Sequence, residues 1–348
     1  MGDFKTDIRD FTLKELKDKM VSMGQPAHRG AQIFKWLYDK NAMSFKEMTD
    51  LPKTLIAELE RKFTAAGPVC EERLISRDGT EKFLWMFSDG EFAESVLIKG
   101  VSGPGKATIC LSTQIGCKFK CPFCASGERS FVRNLTAGEI AGQISSAQNL
   151  SGGKKVSNVV FMGMGEPLDN YDNVVKAVRI MNDPAGLGIG ARKITISTCG
   201  VVPGIRRLKD LGIQVELSVS LHASKDELRN KLAPVNRKYP IKELVKALEE
   251  YRSATGRVVT LEYTVMKGVN DGPDDVKGLK EISSRLKSKV NLISCNPGVS
   301  PGGSRPDTEN VKVFAAKLRT LGVPVTLRMS RGDDIMAACG QLAARRKS

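Results

Sequence analysis

From residue 107 onward, short apolar runs alternate with stretches whose apolar residues recur every three or four positions. The runs cover 107–112, 156–162, 193–198, 215–221, 258–266 and 289–295, and they predict buried parallel strands. Helical-period stretches follow at 136–150, 172–182, 240–255, 274–287 and 308–321, the first opened by a capping-box pair, Thr136 and Glu139. A seventh apolar run, 323–329, closes the series. This alternation predicts an α/β chain built as a partial (β/α)6 barrel, with its active site at the C-terminal ends of the strands.

The first third of the chain has a different pattern. Thr12 with Glu15 predicts a capped helix bearing Leu13, Leu16 and Met20. Pro26 precedes a second helix with Ile33, Phe34, Leu37 and Tyr38. Pro52 opens a third, with Leu55, Ile56, Leu59 and Phe63 on one side. Residues 1–66 therefore read as a small helical domain. Three short strands at 70–76, 82–87 and 93–98 are separated by Asp78-Gly79 and Asp89-Gly90 turns, which predicts a β-meander. With the glycine-rich loop at 99–106 it makes a connecting unit, 67–106, ahead of the barrel and its C-terminal tail at 107–348.

Composition narrows the class of partner. Lys plus Arg number 54 against 39 Asp plus Glu, a net charge of +15, more than solubility asks of such a chain. The excess is spread over pairs such as Lys154/Lys155, Arg192/Lys193, Arg206/Arg207 and the triplet Arg345, Arg346, Lys347, and it suggests a polyanion, nucleic acid above all. In the helical domain Arg29, Lys35, Lys40, Lys46, Lys53, Arg61 and Lys62 suit an RNA-gripping face. No apolar run approaches membrane-spanning length. The opening residues 1–6 match a myristoylation pattern only loosely, which reads as coincidence. Eight cysteines without a secretory signal point to reduced thiols and a cytoplasmic location.

The densest chemistry lies in Cys117-Lys-Phe-Lys-Cys121-Pro-Phe-Cys124, directly after the first barrel strand. Thiolates suit iron–sulfur clusters or zinc. A closed zinc site wants four ligands, and with only His28 and His222 in the chain a mixed Cys/His site is poorly supplied. Three close cysteines instead leave one iron of a [4Fe–4S] cluster open to a ligand. A zinc knot borrowing a distant fourth ligand remains the alternative. Small or polar groups sit at the other strand ends: Gly163-Met164-Gly165-Glu166-Pro167, Ser197-Thr198-Cys199-Gly200, Ser220-Leu221-His222 and Asn296-Pro297. Each alone reads as a turn or cap residue. At successive strand ends they suit a ligand's hydroxyls, carboxylate and ring edges. Cys70, Cys199 and Cys295 read as inert packing.

The three-cysteine loop with Phe123 before its last cysteine resembles the cluster loop of the radical S-adenosylmethionine (SAM) superfamily. The segments GMGEPLDN, STCGVVPGI, VSLHA and RGDDIMAACGQL, with Cys110 upstream, resemble more narrowly the RlmN/Cfr family of RNA adenine methyltransferases over residues 10–345. That resemblance implies a [4Fe–4S] cluster on Cys117, Cys121 and Cys124. It implies two SAM molecules per turnover, in contact with Gly165, Glu166, Ser197, Ser220, Leu221, His222 and Asn296. By the same resemblance Cys339 carries the methyl group, and a 5′-deoxyadenosyl radical activates it. Cys110 then releases the product through a transient disulfide with Cys339, and Glu94 accepts the ring proton. The implied partners are 23S rRNA, tRNA and an electron donor such as flavodoxin or ferredoxin, and the expected state is a monomer.

Pro167 and the SRGDDI stretch resemble the branch that methylates carbon 2 of adenine in the peptidyl-transferase centre and beside the tRNA anticodon. The alternative is the carbon-8 branch, which confers antibiotic resistance. Met336 stands where the family usually has aspartate, and Cys199 where it usually has serine. Two readings from other classes are a zinc-bearing RNA-binding protein and a radical activase of a partner protein. The second leaves Cys110, Cys339 and the basic surface unexplained.

Overall fold

The computed structural model describes residues 5–100, 106–296 and 308–344. The start of the chain, most of the expected glycine-rich loop (101–105), Pro297 and the basic triplet Arg345, Arg346 and Lys347 lie outside the described residues.

One ten-stranded sheet organises the molecule, its strands lying side by side in the order of the sequence. The first three are β1 (Val69–Ile75), β2 (Glu81–Met86) and β3 (Phe92–Lys99), an antiparallel meander. Then come β4 (Ala107–Cys110), β5 (Val156–Phe161), β6 (Ile194–Thr198) and β7 (Glu216–Ser220). The sheet ends with β8 (Thr260–Val265), β9 (Lys289–Ser294) and β10 (Val325–Arg328). From β4 to β10 every neighbouring pair is parallel. The sequence series of six strands therefore gains the seventh run as a parallel strand. The meander is not only a connector, because β3 pairs antiparallel with β4, Val96 opposite Cys110, and so extends the barrel's own sheet.

Helices cross over between the parallel strands: α4 (Ala137–Leu150), α5 (Tyr171–Asn182), α6 (Val202–Leu208), α7 (Asp226–Leu232), α8 (Ile241–Thr255), α9 (Pro273–Leu286) and α10 (Thr308–Thr320). In α4 the expected capping box forms, with Thr136 accepting from the Glu139 N–H and Glu139 reaching back to the Thr136 N–H. Among the described residues no helix is long and apolar enough to cross a membrane.

The strands alternate sharply. Ile194 and Ile196, Leu217 and Val219, and Leu261 and Tyr263 are buried in the apolar core. The positions between them, Thr195 and Ser197, Ser218 and Ser220, Thr260, Glu262 and Thr264, line cavities inside the barrel. Side chains alternate along a strand with period two. A barrel interior packed only for stability would be filled with branched apolar residues. This one is polar.

The N-terminal part contributes helices at Leu13–Ser22, His28–Tyr38 and Lys53–Lys62. Arg9, fully buried, ties it together by donating to the carbonyls of Ala65 (3.0 Å) and Ala42 (2.6 Å). It seats on α4, where the Gly138 N–H donates to Asp10 Oδ1 (2.7 Å) and Ser145 Oγ donates to the Leu37 carbonyl (3.3 Å). Its apolar side chains and those of the barrel form one continuous core.

Candidate active site: two cavities meeting at Cys339

Two cavities share a wall inside the barrel. The smaller, about 170 Å³, lies at the C-terminal ends of the strands and is lined by Cys117, Cys121, Cys124, Gly165, Glu166, Ser197, Ser220, His222 and Asn296. The larger, about 720 Å³, runs along the barrel interior and reaches Cys110, Glu262 and Arg328. Cys339, Asn296, Met162, Glu262 and Ile293 line both. Of these only Cys339 is a nucleophile. It sits where the contents of one cavity meet the contents of the other.

Burial pushes the thiols of the three-cysteine loop up, Cys117 to about 12, and like charge among neighbouring thiols adds to the effect. Thiols in such a place ionise by gaining a cation. Among the described residues no three His, Cys, Asp or Glu side chains gather tightly enough to hold a single metal ion. A zinc site needs its ligands to converge on one point at about 2.3 Å. In a cubane cluster each cysteine binds a different iron, so sulfurs set around one cavity suit the cluster where they do not suit one ion. The residues present fit a [4Fe–4S] group.

The wall opposite these cysteines is built with little tolerance. Gly165 has φ +94°, and a Cβ there would lie 2.5 Å from Gln114 Cβ; at Gly163 it would lie 2.6 Å from the Leu111 carbonyl. Glycine is required at both positions by this packing, and both line the smaller cavity with no side chain of their own. Glu166 is anchored by both oxygens, one accepting from the Leu168 N–H (3.0 Å) and the other from the Cys199 N–H (2.7 Å), with acceptor capacity left over. Burial raises its carboxyl above the usual range despite those bonds. Burial, helped by the Arg229 charge, lowers His222 to about 3, so its ring is neutral. His222 Nδ1 accepts from the Thr264 N–H at 3.0 Å, and the ring stands edge-on to Phe123 with centroids 4.7 Å apart.

Arg229, which sequence reasoning passed over, holds these strand ends together. Fully buried on α7, it donates to the carbonyls of Leu221 (3.1 Å), Cys199 (2.7 Å) and Ser220 (3.1 Å) and to Asn236 Oδ1 (2.8 Å). It thus clamps the ends of β6 and β7. Arg229→Met leaves several buried acceptors unpaired, each costing about 1–3 kcal/mol. We expect a loss of roughly 3 kcal/mol or more of stability and a raised KM for SAM. Thermal unfolding of the anaerobic protein checks the first and a SAM titration the second; an unchanged midpoint and KM would contradict the clamp.

Cys110 and Cys339 are both free thiols facing the larger cavity. Burial pushes Cys110 up to about 12, with the nearby Cys339 adding to the rise and Arg328 opposing it. The neighbouring Cys339, then Glu262, hold the Arg328 guanidinium above its ordinary range, and Arg328 also donates to Met162 Sδ at 2.9 Å.

Comparison with known proteins decides the family. Residues 111–279 match the model of the radical SAM superfamily, and residues 6–64 match that of the ribosomal RNA large subunit methyltransferase N-terminal domain. A probable dual-specificity RNA methyltransferase RlmN of Thermotoga neapolitana is 45% identical over 342 residues, covering 98% of each chain. Its namesake in Clostridium perfringens strain SM101 is 44% identical over 337 residues, covering 97% of this chain and 96% of that one. The crystal structure of a radical SAM methyltransferase from Sphaerobacter thermophilus superposes with a TM-score of 0.93 at 42% identity, covering 98% of this chain and all of that one. The chain belongs to the RlmN family. It is a SAM-dependent radical methyltransferase, and the radical SAM family carries a [4Fe–4S] cluster and SAM.

In this RlmN-family chain not every expected residue faces the cavities. Leu221 is buried and does not line the smaller one; its N–H donates to the Glu262 carbonyl (3.0 Å). Glu94 lines neither cavity; it anchors the C-terminal tail. One carboxylate oxygen accepts from the N–H groups of Ala343 (2.8 Å) and Ala344 (3.0 Å), and the other pairs with Lys82 Nζ (3.0 Å). The tail is further held by Asn296 Nδ2 to the Cys339 carbonyl (2.9 Å), Ala125 N–H to the Gly340 carbonyl (2.7 Å) and Ser126 Oγ to the Leu342 carbonyl (2.7 Å). Two of those bonds come from the loop that carries the cluster cysteines. Met336, three residues before Cys339, is 44% exposed and lines a separate shallow pocket with Asp78 and Asp334, not the cavities that Cys339 faces. Cys199 and Cys295, expected as inert packing, both line the smaller cavity.

Proposed function

We propose that this RlmN-family enzyme methylates carbon 2 of adenosine in RNA, both in 23S rRNA at the peptidyl-transferase centre and in tRNA beside the anticodon, with Cys339 as methyl carrier. The observation that carries the reading is the position of Cys339 on the wall shared by the three-cysteine cavity and the larger one. The relatives are named as probable dual-specificity RNA methyltransferases, which supports RNA as the substrate and two classes of it.

Cys117, Cys121 and Cys124 would hold the cluster, which when bound would supply the one-electron reduction that yields a 5′-deoxyadenosyl radical from SAM. Around it Gly165 gives close backbone approach, Glu166 and Asn296 offer polar edges to the amino-acid part of SAM, and Ser197, Ser220 and His222 line the rest. A first SAM methylates Cys339 and a second activates that methyl group, two per turnover. Carbon 2 of adenine is electron-poor, so a polar methyl transfer is unsuitable and a radical carbon on the carrier is required. Once the ring proton has left and the surplus electron has gone back to the redox couple that supplied the first one, Cys110 would attack Cys339 Sγ. The S–C bond breaks, a disulfide forms, and the departing carbon takes up a proton. Glu94 takes the ring proton only after the Ala343 and Ala344 N–H groups release it. Residues 1–66 supply an RNA-gripping face, residues 67–106 join it to the barrel, and 107–348 do the chemistry. The enzyme works as a cytoplasmic monomer with a flavodoxin or ferredoxin as electron donor.

The test is anaerobic turnover of reconstituted protein with SAM, reductant and naked 23S rRNA or tRNA, read as nucleosides by mass spectrometry. We expect 2-methyladenosine from brown, iron-containing protein. An 8-methyladenosine product moves the chain to the carbon-8 branch. Zinc near one per chain without iron removes the radical reading altogether.

A further inference from the structure

The larger cavity opens at the end of the barrel opposite the three-cysteine loop, among the residues that begin the parallel strands. Arg192, Lys193 and Lys289 line it there, at the starts of β6 and β9. Lys154 and Lys155 immediately precede β5, and Lys287 precedes β9. All six side chains are exposed. Sequence position scatters these charges, and the barrel gathers them around one mouth.

Several basic residues elsewhere are neutralised by carboxylates, whereas among the described residues a whole group of cations stands together at the mouth without one. Arg129 pairs with Glu91, Arg133 with Asp89 and Glu139, Arg206 with Glu243 and Glu250, Arg207 with Asp172, and Arg285 with Glu249. Among the described residues none of the six cations at the mouth is in an ion pair; Arg192 donates to the neutral Gln214 Oε1 (3.2 Å). Of the carboxylates at this end, Glu216 is taken by Arg257, and Asp210 follows Lys209 in the chain. The mouth is left net positive.

Inward from the rim the walls are polar, with Thr108, Asn158, Thr195, Thr260 and Asn291, and they lead past Glu262 and Arg328 to Cys110 and Cys339. A cavity of about 720 Å³ is of the size that accepts a ligand as large as a nucleoside. We propose that the strand-N-terminal mouth of the barrel is the RNA entry. The target nucleotide, extruded from its strand, passes through the mouth to Cys339, and Arg192, Lys193 and Lys289 hold the phosphates that flank it. Three observations converge on this. The cofactor end of the barrel belongs to the smaller cavity, the carrier is reached from the larger one, and the unpaired cations ring the outer end of that one. An enzyme that alters a base takes it out of the stack and stabilises the opened strand through its backbone phosphates.

This inference rests on the RNA methyltransferase reading, and the experiment separates the two. The triple variant Arg192→Gln/Lys193→Gln/Lys289→Gln and a control, Lys246→Gln/Lys277→Gln on the outer helices α8 and α9, are compared with the wild-type chain. Affinity for an unmodified tRNA transcript is measured across a salt series, together with KM and kcat for its methylation. Removing three phosphate contacts lowers the slope of log affinity against log salt by roughly 2 to 3, and weakens binding by about tenfold or more at moderate salt. We expect that loss in KM and Kd, with kcat at saturating RNA changing less than about threefold, and wild-type behaviour from the control. A triple variant with wild-type affinity and salt slope, or a control that loses as much, overturns the entry path and leaves the methyltransferase reading intact. A wild-type chain that methylates no RNA overturns both.

Discussion

Replacing Cys339 by alanine is expected to lower RNA methylation by about a thousandfold or more, while iron content and RNA-independent SAM cleavage stay near wild type. The size follows from the carrier's place. Cys339 is the nucleophile on the wall common to both cavities, and without its sulfur no group there can accept a methyl group from one side and deliver it to the other. The selectivity follows from how the tail is held. Asn296 grips the Cys339 carbonyl, and Ala125 and Ser126 grip the carbonyls of Gly340 and Leu342, all backbone contacts that alanine keeps. Nucleoside mass spectrometry, iron analysis and 5′-deoxyadenosine release read the three quantities. Methylation at more than a few per cent of wild type would remove the carrier role.

For Cys110→Ala the expected result is a trapped intermediate. The protein should accumulate as a covalent RNA adduct that survives denaturing electrophoresis and disappears on nuclease treatment, with multiple turnover lost. Cys110 is buried, and its pKa of about 12 leaves it a neutral thiol in the resting enzyme. A neutral thiol does not attack, which protects the carrier from premature oxidation. Burial is the main cause of that rise and the neighbouring Cys339 the second. Once Cys339 is a thioether it no longer adds to that rise, while Arg328 still opposes it, so the Cys110 thiolate becomes easier to form at the step that needs it. Losing one buried sulfur costs stability of only about 1 kcal/mol, so the variant should fold. Normal product release by folded Cys110→Ala would rule out the resolving role.

Much of the architecture was legible in the sequence. The apolar runs marked every parallel strand to within two residues, because strands packed against crossover helices need branched side chains on that face. Two helices escaped, Val202–Leu208 and Asp226–Leu232, each too short to establish a 3.6-residue period. The three-cysteine loop announced itself by spacing alone. The polarity of the barrel interior was present in Thr195 and Ser197, Ser218 and Ser220, and Thr260, Glu262 and Thr264, but it was masked by counting whole runs as apolar. Arg229 carried no such signal: one arginine in a short charged segment reads as surface, and only the fold shows four buried acceptors around it. The mouth was illegible for a related reason. Lys154, Arg192 and Lys289 are far apart in the chain, and it is the parallel register of the strands that sets their starts on one rim.

The most direct test of the carrier claim is a single-turnover isotope chase. Protein bearing an unlabelled methyl group on Cys339 is given RNA, reductant and SAM carrying a deuterated methyl group. The account predicts that the first methyladenosine formed carries the unlabelled carbon from the protein, and that label appears only in later turnovers. Deuterated methyl in the first product would show that the group passes from SAM to RNA without stopping on Cys339.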